Sequence, residues 1–244
     1  MTRKTRLSAQ ERRASILGAA IPLFAAHGFA ETTTRMIATA AGVSEALLYR
    51  HFRDKEAIFG EIKSFCCHQP DHYTEVIGRL EPSTSTLVHS LQFLMSLILL
   101  DQPQVGEADR LERDYIPRLL TRSILENGTF ARIFYETHIK IWQSKWEQCV
   151  AASQEAGEMI DTGVPAANRW WFAHHIAVAI RLMHLPPDPV VDYDAPLPQL
   201  LDQAMRFALH GFGLTEAAIR THYNPGALAL QAQWPSAPMK LFSS

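Results

Sequence analysis

Residues 33–52 read TTRMIATAAGVSEALLYRHF, and this stretch decides the fold. It predicts a short helix, a tight turn and a second short helix, which together make a helix-turn-helix. Thr33 or Thr34 caps the first helix, which carries Ile37, Ala38 and Ala41. Gly42 supplies the turn conformation that a residue with a Cβ resists. Val43 and Leu48 fill the wedge between the helices, and Ala38 is small where they cross. Ser44 caps the second helix and leaves its first residues pointing outward. The positive end of that helix dipole favours phosphate, and a helix of this kind enters the DNA major groove.

The flanks extend the same helical punctuation. Ser8-Ala9-Gln10-Glu11 reads as a capping box that opens a helix with Ile16, Leu17, Ala20 and Phe24 on one face. Gly28 closes it, and Pro22 within it predicts a kink. Asp54 caps a fourth helix with Ile58, Phe59, Ile62 and Phe65 at helical spacing. Further helices are expected at roughly 83–100, 106–126, 129–156, 165–184 and 196–212, with a short one near 217–221 before a loosely attached tail. No segment alternates as a strand does. The expected fold is all-α, in two domains: residues 1–54 carrying the helix-turn-helix, residues 55–214 a helical ligand-binding and dimerisation domain, and 215–244 a tail.

Composition agrees with a packed, helical chain. Of 244 residues, 47% are hydrophobic and 20% charged, which excludes disorder for the bulk of the chain. The net charge of −2 conceals an asymmetry. Residues 1–64 hold 10 basic and 6 acidic side chains, while the remainder holds 13 and 19. A basic end on an acidic body predicts an anionic partner at that end. Three cysteines, two of them adjacent, point to a reducing compartment. The apolar stretch 87–100 is interrupted by polar residues and falls short of the about 20 residues of a membrane span. No secretory pattern follows the basic start, so a cytoplasmic protein without membrane association is expected.

The run from residue 8 to about 60 resembles the tetracycline-repressor (TetR) family of bacterial transcriptional regulators. The resemblance rests on Leu23-Phe24, Gly28-Phe29, Thr32-Thr33, Ile37-Ala38, Ala41-Gly42-Val43-Ser44, Leu48-Tyr49, His51-Phe52 and Lys55-Glu56, in order and at the right spacing. It implies that Thr33, Ser44, Tyr49, His51 and Lys55 hold DNA phosphates, and that Arg35, Glu45, Ala46 and Leu47 lie at or near base edges. Arg50 adds a further cation on the same helix. The chemistry is compatible: Tyr and Ser donate to phosphate oxygens, Arg35 can bond guanine bidentately, and Leu47 can pack on a thymine methyl. Two positions depart from the family, which commonly has lysine where Glu45 stands and glycine where Ala46 stands. Glu45 either accepts from cytosine or only complements the helix dipole. Arg3, Lys4, Arg6, Arg12 and Arg13 form a basic arm expected to reach DNA in part.

The implied mechanism is a homodimer on a near-palindromic double-stranded operator, usually repressing, released by a small-molecule effector. Phe93, Phe134, His138, Trp142 and Trp171 are candidates for a mostly apolar effector pocket, several of them at i,i+4 spacing. Cys66, Cys67, His68 and His72 are metal-ligand types without a convincing ligand set, so no metal and no cofactor are expected. No G-x-S-x-G elbow, phosphate-binding glycine loop or H-E-x-x-H is present, so no enzyme is expected. The rival reading is an all-helical metal-binding or enzymatic protein that keeps the helix-turn-helix only as a fold element.

Overall fold

The computed structural model describes residues 7–67, 72–100 and 107–226. The basic arm at Arg3, Lys4 and Arg6, the side chains of Cys66, Cys67 and His72, all of His68, and the tail beyond 226 lie outside them. Among the described residues there are twelve α-helices and no strand, only an isolated bridge between Met159 and Leu214. The helices are α1 Ala9–Glu31, α2 Thr34–Ala40, α3 Glu45–His51, α4 Lys55–Cys67, α5 His72–Arg79, α6 Thr84–Leu99, α7 Glu107–Glu126, α8 Thr129–His138, α9 Gln143–Glu155, α10 Ala166–Met183, α11 Leu197–Phe212 and α12 Glu216–His222. A single 3-10 turn, Lys140–Trp142, precedes α9.

The chain divides into two compact units. The first contains α1–α4 together with α7 and α8, and the second contains α5, α6 and everything from Ile139 to α12. The boundary expected at residue 54 is therefore not the edge of the first unit. The helix-turn-helix does not carry a core of its own. Ile16, Leu17, Ala20, Ile21 and Phe24 of α1, Ile37 and Ala38 of α2, and Leu48 of α3 pack in one cluster with Ile58 and Ile62 of α4, Leu119 of α7 and Phe130 of α8. Burying a residue such as Leu48 completely is worth roughly 1.5–3 kcal/mol.

Local signals place the ends of these elements. The capping box at Ser8 is complete, with Ser8 Oγ accepting from Glu11 N–H and Glu11 accepting from Ser8 N–H. Pro22 does not disturb α1; the one non-helical residue inside it is Gly28, at φ 77° and ψ 175°. The helix therefore breaks where glycine permits a conformation closed to other residues, not where proline removes a donor. Thr32 is buried just beyond, and its hydroxyl donates to Gly28 O at 2.7 Å. By length and composition α1 passes for a membrane span, but its apolar face lies in the core that it shares with the helix-turn-helix.

In the second unit α6 is buried nearly all round and packs against α9, α10, α11 and α12. Trp146 Nε1 donates to Ser90 Oγ at 3.1 Å. Glu158 joins α6 to α12: its carboxylate accepts from Thr84 and pairs with His222 at 2.9 Å. Those hydrogen bonds, Thr84 foremost, hold its carboxyl below the usual range. The helix expected over 129–156 is interrupted at Ile139, so Phe134 and His138 end one helix while Trp142 sits in the 3-10 turn before the next.

Two stability measurements follow from these features. Gly28→Ala forces an L-residue into the conformation at φ 77° and sets its Cβ 2.5 Å from a Glu126 carboxylate oxygen. It is expected to cost about 1–3 kcal/mol in denaturant unfolding. His174 of α10 is buried, and burial, with the neighbouring His175, pushes its pKa down to about 3. Below pH 6.5 the unfolded chain takes up a proton there that the folded chain refuses, so stability falls as pH drops toward 3. Between pH 6.5 and 5 this one site removes about 2 kcal/mol, and a His174→Gln variant is expected to show a correspondingly flatter acid profile in denaturant midpoints.

Candidate nucleic-acid interface

The turn between α2 and α3 has a full set of backbone bonds. Val43 N–H donates to Ala38 O at 2.9 Å and Gly42 N–H to Thr39 O at 3.1 Å, with Gly42 at φ 65°. That pairing is the Schellman ending of α2, and it fixes the angle at which α3 departs. Each helix is capped by a hydroxyl: Thr33 Oγ1 accepts from Met36 N–H and Ser44 Oγ from Leu47 N–H, both at 3.2 Å. Each hydroxyl keeps its own hydrogen for an outside acceptor.

Leu48 faces the core, so the opposite side of α3 is presented to solvent. Glu45, Ala46, Tyr49 and Arg50 are all exposed, at spacings that share one helix face, and Leu47 is half-buried beside them. Tyr49 is 49% exposed and its hydroxyl lies 3.1 Å from Thr34 Oγ1, which ties α3 to the first turn of α2. Arg35 on α2 is exposed as well. Arg35 and Arg50 make no hydrogen bond or ion pair among the described residues, so both guanidinium groups are uncommitted there. The arrangement is a small, rigid face of hydroxyls, two cations, one carboxylate and one methyl. Those groups can bind phosphate oxygens and reach base edges.

Two cations expected on that surface are otherwise engaged. Lys55 Nζ donates to Phe29 O at 2.7 Å and Ala30 O at 3.2 Å, and it lies 4.4 Å above the Phe29 ring. It satisfies the terminal carbonyls of α1. Arg13 bonds Glu61 of α4, with Nε to Oε1 at 2.9 Å, and donates also to the carbonyl of His51. Its guanidinium stacks 4.1 Å from the centre of the Phe52 ring. Arg13 thus fastens the C-terminus of α3 to α1 and α4, and leaves the basic cluster. Arg12 makes no side-chain bond among the described residues. His51 is half-buried at the end of α3. Neither role of Lys55 nor of Arg13 has a local sequence signal, since their partners lie 25 to 48 residues away.

The aromatic candidates are not gathered in one place. Phe134 and His138 belong to the first unit, where their rings lie 4.7 Å apart and Phe134 adjoins Phe130 at 6.3 Å. Phe93, Trp142 and Trp171 belong to the second. There Trp142 is buried and packs between Phe93 at 6.4 Å and Trp146 at 5.3 Å, while Trp171 sits 5.7 Å from His174. Among the described residues no group of three metal-ligand side chains is brought together.

Two short capped helices joined by a Schellman turn, with the outer face of the second open to solvent, define a helix-turn-helix. Residues 16–62 match the family of bacterial regulatory proteins, tetR family, so this segment is similar to the DNA-binding domain of that family. The HTH-type transcriptional regulator AcrR of Shigella flexneri is 47% identical over 62 residues, covering 25% of this chain and 29% of that protein. The chain spans less than half the length of the curated relatives it matches. Among solved structures, the MbdR regulator from Azoarcus sp. CIB superposes with a TM-score of 0.58 at 18% identity, over 84% of this chain and 98% of that one. AibR, solved in complex with isovaleryl coenzyme A and operator DNA, gives 0.56 at 17% identity over 84% and 100%. At that identity the likeness concerns the fold, which extends through both units.

The engagement of Lys55 is open to measurement without DNA. Lys55→Met keeps the aliphatic stem and removes the ammonium, leaving two carbonyls of α1 without their donor. It is expected to lower unfolding stability by about 1 kcal/mol. A lysine that served only as a phosphate contact would leave stability unchanged.

Proposed function

We propose that the chain is a ligand-responsive transcriptional regulator that binds a near-palindromic DNA operator as a homodimer, acting as a repressor. The observation that carries this reading is the outer face of α3. Tyr49 and Arg50 stand exposed there beside the capping hydroxyls of Ser44 and Thr33, with Arg35 on α2 also exposed. Tyr49, Ser44 and Thr33 position the backbone, while Arg35, Glu45, Ala46 and Leu47 read bases. His51 and Lys55 contribute at the margin, Lys55 with the one ammonium proton its two carbonyls leave over.

Dimerisation is supported by the second unit. Phe207 of α11 is 72% exposed and Phe172 of α10 59% exposed, although α11 buries its other apolar face against α6 and α10. Large aromatic side chains left in water on two packed helices mark an association surface. Two copies must set their α3 helices about 34–36 Å apart to occupy successive major grooves. A structural neighbour holding both an acyl coenzyme A and operator DNA supports an effector-bound state of this fold. The aromatic surroundings of Phe93, Trp142 and Trp171 favour a mostly apolar effector in the second unit.

Salt dependence tests the reading directly. Three cations per protomer, Arg12, Arg50 and Lys55 with its remaining proton, give about six phosphate contacts per dimer, and hence a slope of log affinity against log salt of about −5. A slope near zero overturns it. Tyr49→Phe should weaken all duplexes alike, whereas Glu45→Lys should change which duplex is preferred. In sedimentation the unmodified chain should run at twice its 27.5 kDa, and Phe207→Asp should run as a monomer that no longer holds the duplex.

A further inference from the structure

We propose that Arg122 and Glu126, at the C-terminal end of α7, are positioning residues for DNA binding that clamp the corner between α1 and α2. The inference rests on the DNA-binding reading above and concerns how the reading face is aimed rather than what it touches.

The direction of α2 and α3 is decided at that corner. Helical geometry fails at Gly28, resumes for one turn to Glu31, and ends in the extended residues Thr32 and Thr33 before α2 begins. A corner of this kind leaves backbone groups without helical partners, and each of them needs another. Thr32 Oγ1 donates to Gly28 O, and Lys55 to Phe29 O and Ala30 O. Two more partners arrive from far along the chain. Arg122 Nη2 donates to Ala26 O at 2.8 Å, and Phe29 N–H donates to a Glu126 carboxylate oxygen at 3.1 Å, with sequence separations of 96 and 97 residues.

Arg122 and Glu126 stand at i and i+4, on one face of α7. They grip opposite polarities on either side of the break: the guanidinium takes a carbonyl before Gly28, and the carboxylate takes an amide after it. One hydrogen bond would leave the corner free to swivel, whereas two on opposite sides of the hinge set its angle. The approach of Glu126 is also close: its oxygen stands 2.5 Å from the position a Cβ on residue 28 would take. Both side chains are exposed, while the packing of α7 on α1 is carried separately by Leu119 and its neighbours. Loss of the clamp should therefore spare folding, and it removes none of the groups on the outer face of α3.

The test uses the full chain and a duplex selected from a random pool by the unmodified protein, beside a shuffled duplex of the same composition. Arg122→Ala combined with Glu126→Ala should weaken binding to the selected duplex about tenfold. Affinity for the shuffled duplex, and its salt slope, should stay within about twofold, because the phosphate-binding cations remain. Arg122→Lys combined with Glu126→Gln keeps a donor and an acceptor and should recover most of the loss. Selected-duplex affinity unchanged in a variant whose circular dichroism matches the parent overturns the clamp. So do equal losses on both duplexes. Should the double alanine variant unfold, each single variant carries the same comparison. If the unmodified protein selects no duplex, the DNA-binding reading fails and the clamp falls with it, an outcome distinct from the others.

Discussion

Phe59 of α4 lies against three other phenylalanines: Phe24 at 4.9 Å, Phe29 at 5.1 Å and Phe130 at 6.1 Å between ring centres. The tilted contacts are the arrangement aromatic pairs prefer, and together they draw α1, the corner after it, α4 and α8 to one point. The remainder of the first unit is organised around this junction. Phe29 carries the ammonium of Lys55 on its ring and donates its amide to Glu126, so the same residue anchors both the apolar and the polar parts of the corner. Arg13 secures the other end of the reading helix through His51, Glu61 and the Phe52 ring. The short helices α2 and α3, of seven residues each, could not persist by propensity alone. Their caps, their turn and this shared core hold them in place.

What could be read beforehand is what depends on neighbours in sequence. The capping box at Ser8, the caps at Ser44 and Thr33, and the Gly42 turn each involve residues within a few positions, so their chemistry is visible in the string. The all-helical class, the likeness of residues 16–62 to the tetR family and the limits of most helices rest on the same kind of signal. The corner at Gly28 was readable for that reason too, while the kink expected at Pro22 did not appear, since a proline that keeps helical φ and ψ can be accommodated by its surroundings. What could not be read depends on partners tens of residues away. Lys55 and Arg13 look like surface cations until the chain folds and brings carbonyls, carboxylate and ring to them. The periodic aromatics from Phe130 to Trp142 keep their spacing through Ile139, so nothing in their pattern reveals that the helix ends there and that the set is shared between two units.

The membership of α7 and α8 in the first unit was hidden for a related reason. An apolar stripe shows that a helix is buried, but not against what. Leu119 and Phe130 carry the same hydrophobic signature whether they line a ligand-binding domain or complete the core under a helix-turn-helix. The separation by motif at residue 54 and the separation by packing are answers to different questions, and the structure supplies only the second.

That packing bears on the order of events during synthesis. The segment that looks like a self-contained module leaves the ribosome ahead of α5 and α6, and Leu119 of α7 and Phe130 of α8 arrive only after the whole of those two helices has emerged. Until then the apolar sides of Phe24 and Phe59 have no permanent cover. Contacts that close so long a loop form late, and a nascent chain in that state is exposed to association with its neighbours. A messenger cut short before residue 130 therefore yields an open-cored fragment fit for proteolysis rather than a small folded module, so the first unit closes its core only in chains that have already made α5 and α6 of the second.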